Sequence, residues 1–153
     1  MGLYDVIFLI LGLYHNAMLI ALFYASKRQA NKQLTTIGKW YLAVMLPGSV
    51  GITIWAAILG FRWGYMLLLL ILIIYLLIEI LYDYVLKVNW RNNWRFAAPY
   101  LAFYYIANYA VVVLNWEYSI TWGIILLILF ILQIITNIWS HPRAKAVEST
   151  VST

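Results

Sequence analysis

Apolar and polar positions do not alternate along this chain. Apolar residues come in five long runs, at about 3–25, 40–59, 64–86, 96–116 and 120–139, and charge collects in the short stretches between them. A helix rises about 1.5 Å per residue, so about 20 such residues cross the hydrocarbon of a bilayer. The pattern predicts an all-α polytopic membrane protein, a single domain at 1–139 forming a bundle of five transmembrane helices, followed by a short polar tail at 140–153. A four-span reading would need one helix to run through Arg62 or Glu117.

Composition agrees with this reading. The chain is 66% hydrophobic and 10% charged, against about a quarter charged for a soluble domain. It has no cysteine, which excludes disulfides and thiolate chemistry. In a soluble protein a net charge of +5 would suggest nucleic acid. Here the basic residues sit between the spans as orientation signals, so no nucleic-acid partner is expected. With the N-terminus outside and the C-terminus in the cytoplasm, nine of the ten Lys and Arg lie inside and only Arg62 outside; the opposite orientation reverses that count. The expectation is a multi-pass protein of the cell membrane. Asp5 precedes the first span and Lys27 and Arg28 follow it, the reverse of a signal peptide, so this span is expected to be retained.

Local signals refine the picture. Pro47-Gly48-Ser49 and Gly51 predict a bend in the second span or a close approach by a neighbour. Pro99 is expected in the first turn of the fourth span, where a missing N–H is tolerated. Trp40, Trp63, Trp90, Trp94, Trp116, Trp122 and Trp139 fall at span ends, as an aromatic belt does, whereas Trp55 and Tyr75 lie deeper.

The third span carries the residues most costly to place in oil. Glu79 and Asp83 are four apart, on one helical face, with Tyr75 and Tyr82 on or beside it. If Lys87 marks the interface, they lie about 12 and 6 Å below it. Facing lipid, an ionised acid near the bilayer centre costs about 2.5 to 3.5 kcal/mol, so both are expected to face other helices or a wet cavity. At matching depths the fifth span offers Gln133 and Asn137, and the fourth offers Tyr100, Tyr104 and Asn108. The first span places His15 and Asn16 near the midplane, and the second adds Ser49 and Thr53. Together they outline a polar pocket closed outward and open to the cytoplasm. The ligand-binding set read from the sequence is Glu79, Asp83, Tyr75, Tyr82, Tyr104, Asn108, Gln133, Asn137, His15 and Asn16.

Each residue also has a plainer reading. Intramembrane Asn, Gln and Ser commonly join helices, at about 0.6 kcal/mol per hydrogen bond. His15 suits a hydrogen-bonded packing role, and Asp83 could pair with Lys87, Arg91 or Arg95 near the interface. Glu79 has no basic residue within one turn on its own helix, so it either carries a proton or binds a cation. Nothing in the spacing signals a metal or a cofactor, and hydrolase and phosphate-loop motifs are absent. In span count, length and aromatic content the chain resembles the tryptophan-rich sensory or translocator proteins, which bind porphyrins and sterols, and the emopamil-binding-like sterol isomerases. No local motif matches either, so no membership and no residue role is carried over.

The function expected is binding or transport of a small cationic or amphipathic molecule, with proton coupling through Glu79. One alternative is an intramembrane enzyme acting on a lipid or isoprenoid, with Glu79 as general acid or base. The other is an accessory subunit of a larger complex. Expected partners are the lipid bilayer, the small ligand and a second copy or larger membrane assembly.

Overall fold

The computed structural model describes residues 2–28, 30–86 and 94–140. Five helices, α1 (Leu3–Lys27), α2 (Asn31–Ile58), α3 (Trp63–Ile80), α4 (Trp94–Tyr118) and α5 (Ile120–Ser140), account for nearly all of them. All five are long and apolar enough to span a membrane. α3 continues into one π-helical turn, Leu81–Val85, closed by the Leu86 N–H donating to the Leu81 carbonyl at 2.8 Å.

The ends follow local chemistry. The Asp5 carboxylate accepts the Gly2 N–H at 2.6 Å, placing an acid at the positive end of α1. α2 stops at Gly60, whose φ of +71° is open to glycine at little cost. The Gly60 N–H donates to Ala57 O and the Phe61 N–H to Ala56 O, the paired closure of a Schellman turn. Two expectations shift in detail. α2 begins at Asn31 rather than Trp40, and it runs unbroken through Pro47. α4 is already helical at Trp94, so Pro99 falls in its second turn. Residues 87–93, with Lys87, Trp90 and Arg91, and the tail 141–153 lie outside the described residues.

Each helix packs on its neighbours in sequence, α5 closes the ring against α1, and a shorter contact joins α1 to α4 across it. Small residues set the closest approaches. A Cβ on Gly48 would stand 2.7 Å from Leu11 Cδ2, and one on Gly12 would stand 3.0 Å from Val111 Cγ1. Polarity is inverted relative to a soluble protein: Ile128, Ile135 and Ile138 are exposed on α5 while Gln133 on the same helix is fully buried. Trp40, Trp63 and Trp94 are 64, 80 and 76% exposed, as belt residues are. Such a distribution suits a multi-pass membrane protein, in which lipid solvates the apolar face and polar groups must find one another inside.

The two ends of the ring differ. One, here the basic end, carries Lys27, Arg28, Lys32, Lys39 and Arg95; the other, the far end, carries Asp5, Arg62 and Glu117. The far end is filled by rings: Tyr4 packs edge-on against Trp55, Phe61 and Tyr118 at 5.7, 4.9 and 6.4 Å. The Tyr65 and Tyr118 hydroxyls bond at 2.6 Å. These aromatics turn inward and plug the bundle there.

Candidate functional site

Between the ring-filled end and the basic end, all five helices send polar side chains to the centre. His15, near the middle of α1, is fully buried. Its Nε2 lies 3.2 Å from Asn108 Oδ1 on α4 and its Nδ1 lies 2.9 Å from the Tyr41 hydroxyl on α2. Donor and acceptor roles here follow from covalent chemistry. Asn108 Nδ2 donates to its own helix at the Tyr104 carbonyl, 2.8 Å away, and only an N–H can do so. Asn108 Oδ1 is therefore the acceptor, His15 Nε2 carries the hydrogen, and Nδ1 is the bare nitrogen that accepts the Tyr41 O–H.

From Tyr41 the polar chain runs toward the basic end. Its hydroxyl is within interaction range of that of Tyr75 on α3, which stands 3.5 Å from the Tyr100 hydroxyl on α4. Tyr100 donates to Glu79 Oε2 at 2.6 Å, a short bond of the kind expected for a hydroxyl on a carboxylate. Tyr41, Tyr75 and Tyr100 are buried, whereas Glu79 is half-buried. Counting from the helix ends, Glu79 lies about 9 Å inside Val85, Tyr75 about 15 Å, and His15 about 18 Å inside Lys27. The chain thus connects an acid near the basic end to an imidazole at mid-depth.

Tyrosine faces surround the acid. Tyr82 and Tyr104 each stack on Tyr100 with centroids 6.4 Å apart, and the Tyr75 ring lies 5.9 Å from that of Tyr100. From α5, Gln133 Nε2 donates to the Tyr104 hydroxyl at 2.7 Å. Gln133 Oε1, fully buried, has no partner among the described residues. Asn137, one turn nearer the basic end, also interacts with the Tyr104 hydroxyl.

The structure thus brings His15, Asn108, Tyr75, Glu79, Tyr82, Tyr104, Gln133 and Asn137 into one neighbourhood. Asn16 turns aside and donates to the Gly12 carbonyl at 2.9 Å. Asp83 is exposed on the π-helical turn. Asp83 is within interaction range of Tyr100, the residue that donates to Glu79. Of the ion-pair partners expected for Asp83, Lys87 and Arg91 lie outside the described residues. Ser49 Oγ is buried with no partner among the described residues, and Thr53 donates to the Ser49 carbonyl.

Tyr41 belongs to the chain and sequence reading missed it. With the second span expected to begin at Trp40, Tyr41 fell in its first turn and was not among the candidates. With α2 starting at Asn31, it is about 15 Å inside the helix. Outside this chain, α2 and α3 flank a groove of about 340 Å³ lined by Lys39, Leu42, Ala43, Leu46, Pro47, Ile80 and Tyr84. No family model, curated protein or solved structure matches this chain.

Proposed function

We propose that this protein binds a small cationic or amphipathic molecule at Glu79 and exchanges it for a proton, as a component of membrane transport. The observation that carries the reading is the Tyr100 hydroxyl donating to Glu79 Oε2 at 2.6 Å. A half-buried carboxylate near one end of the bundle, edged by the rings of Tyr75, Tyr82, Tyr100 and Tyr104, is a chemistry that favours organic cations. The acid supplies charge and the ring faces supply cation–π attraction, about 2 kcal/mol or more when desolvated. Such an acid can hold either a proton or a cation, which is the elementary step of an exchange. Gln133 Oε1 beside Tyr104 offers a further acceptor.

The aromatic plug at the far end favours one-sided access from the basic end, and the positive-inside rule supports a cytoplasmic side for that end. Calorimetric titration of the purified protein in nanodiscs with tetraphenylphosphonium, a lipophilic aromatic cation, tests the proposal. Saturable binding accompanied by proton release, lost in Glu79→Gln and retained in Asp83→Asn, supports it. Equal binding by Glu79→Gln and wild type overturns it.

A further inference from the structure

The polar chain has a defect at its middle, at Tyr75. At one end the hydrogen directions are fixed: His15 Nε2–H points to Asn108, and Tyr41 O–H points to His15 Nδ1. At the other end, an ionised Glu79 is an acceptor and takes the Tyr100 O–H. Each tyrosine has one hydrogen to give. Both flanking hydroxyls have spent theirs outward, away from Tyr75, so each presents an oxygen to it. Tyr75 has a single O–H for two acceptors, Tyr100 at 3.5 Å and Tyr41 within interaction range on the other side. The Tyr75–Tyr100 link, at 3.5 Å, is longer than the 2.6 and 2.9 Å bonds at the two ends of the chain.

We propose that the Tyr75 hydroxyl is a two-way switch that reports the protonation of Glu79 to His15. With Glu79 ionised, Tyr100 donates to the acid and Tyr75 donates to Tyr100, leaving the Tyr41 oxygen without a donor from Tyr75. With Glu79 protonated, the acid O–H donates to Tyr100, Tyr100 to Tyr75, Tyr75 to Tyr41, and Tyr41 to His15 Nδ1. One proton enters, at Glu79. Every tyrosine keeps its own and only rotates it about the C–O bond, so no charge is created in the low-dielectric interior. A hydroxyl that accepts a hydrogen bond becomes a better donor, so the Tyr41 bond to His15 Nδ1 tightens when Glu79 is protonated.

The inference rests on Glu79 as the titrating centre of the proposed site, and does not require any cation to bind. Among the described residues, the titratable groups within electrostatic range of Glu79 include Tyr41 on α2, Tyr75 on α3, Tyr84 on the π-helical turn, and Tyr100 and Tyr104 on α4, with Asp83 in range of Tyr84 and Tyr100.

Solid-state NMR of ¹⁵N-histidine and ¹³C-glutamate labelled protein in liposomes, on a His141→Gln background so that His15 gives the only imidazole signal, reads both ends of the chain. As pH falls through the Glu79 carboxyl titration, the bare Nδ1 resonance of His15 moves upfield with the same midpoint, while Nε2 stays protonated. Tyr75→Phe leaves the Glu79 titration in place and removes the His15 response; Tyr100→Phe also removes the His15 response, by cutting the chain at the acid. A wild-type Nδ1 resonance that stays fixed while Glu79 titrates overturns the proposal, as does a response that persists in folded Tyr75→Phe. If tetraphenylphosphonium fails to bind but His15 still follows Glu79, the switch stands and the transport reading falls.

Discussion

His15 and Asn108, 93 residues apart in the chain, meet with Nε2 and Oδ1 3.2 Å apart, and this pairing holds α1 to α4 across the ring. Because the Asn108 amide is locked by its bond to the Tyr104 carbonyl, the imidazole tautomer is locked too. Everything on the other side of the ring must then treat Nδ1 as an acceptor.

The first consequence concerns Tyr41. Tyr41→Phe removes the donor to Nδ1 and leaves a buried nitrogen unsatisfied, at a cost of about 1 to 3 kcal/mol. Tyr14→Phe removes the bond to the Trp40 carbonyl at the bundle surface and is expected to cost no more than the membrane average of about 0.6 kcal/mol. Reversible unfolding in mixed micelles should rank Tyr41→Phe well below Tyr14→Phe; equal stabilities would remove Tyr41 from the chain.

At the far end, the Tyr65 and Tyr118 hydroxyls are bonded at 2.6 Å inside a cluster of rings. Either Phe substitution alone removes the bond and leaves the other hydroxyl without this partner, whereas the double substitution removes both hydroxyls and keeps the rings. A double-mutant cycle is expected to show coupling of about 0.5 to 1.5 kcal/mol, with the double variant more stable than the sum of the singles. Additive losses would mean that the plug is held by ring packing alone.

The turn between α4 and α5 makes a third test. A Cβ on Gly123 would lie 2.9 Å from the Trp116 Cα, and backbone cannot swing aside as a side chain does. Gly123→Ala is expected to cost about 1 to 3 kcal/mol. At Gly51 an added Cβ meets nothing within 4 Å, so Gly51→Ala is expected to be neutral or to stabilise α2 by up to about 1 kcal/mol. Melting curves of the two variants, read by tryptophan fluorescence, compare them directly.

Much of this architecture was legible in the sequence, because membrane solvation imposes one requirement that hydropathy reads directly: backbone polar groups must be satisfied within long apolar helices. The depths of His15, Glu79, Tyr104 and Asn108 followed from helical rise. What was not legible was rotation and lateral pairing. Nothing in Leu81–Val85 marks an i→i+5 turn. The polar stretch 31–39 lowers hydropathy without stopping a helix, which hid Tyr41 at the interface. That Gln133 meets Tyr104, or Tyr100 meets Glu79, depends on how helices distant in sequence are rotated.

The account depends on Glu79 being an acid that a proton or a cation can reach from the basic end. N,N′-dicyclohexylcarbodiimide reacts with protonated carboxyls in apolar surroundings, and peptide mapping of treated membranes shows which acid was modified. The account predicts modification at Glu79 that declines as pH rises and is blocked by tetraphenylphosphonium. Labelling that spares Glu79 across the pH range, or that the cation does not affect, would contradict it.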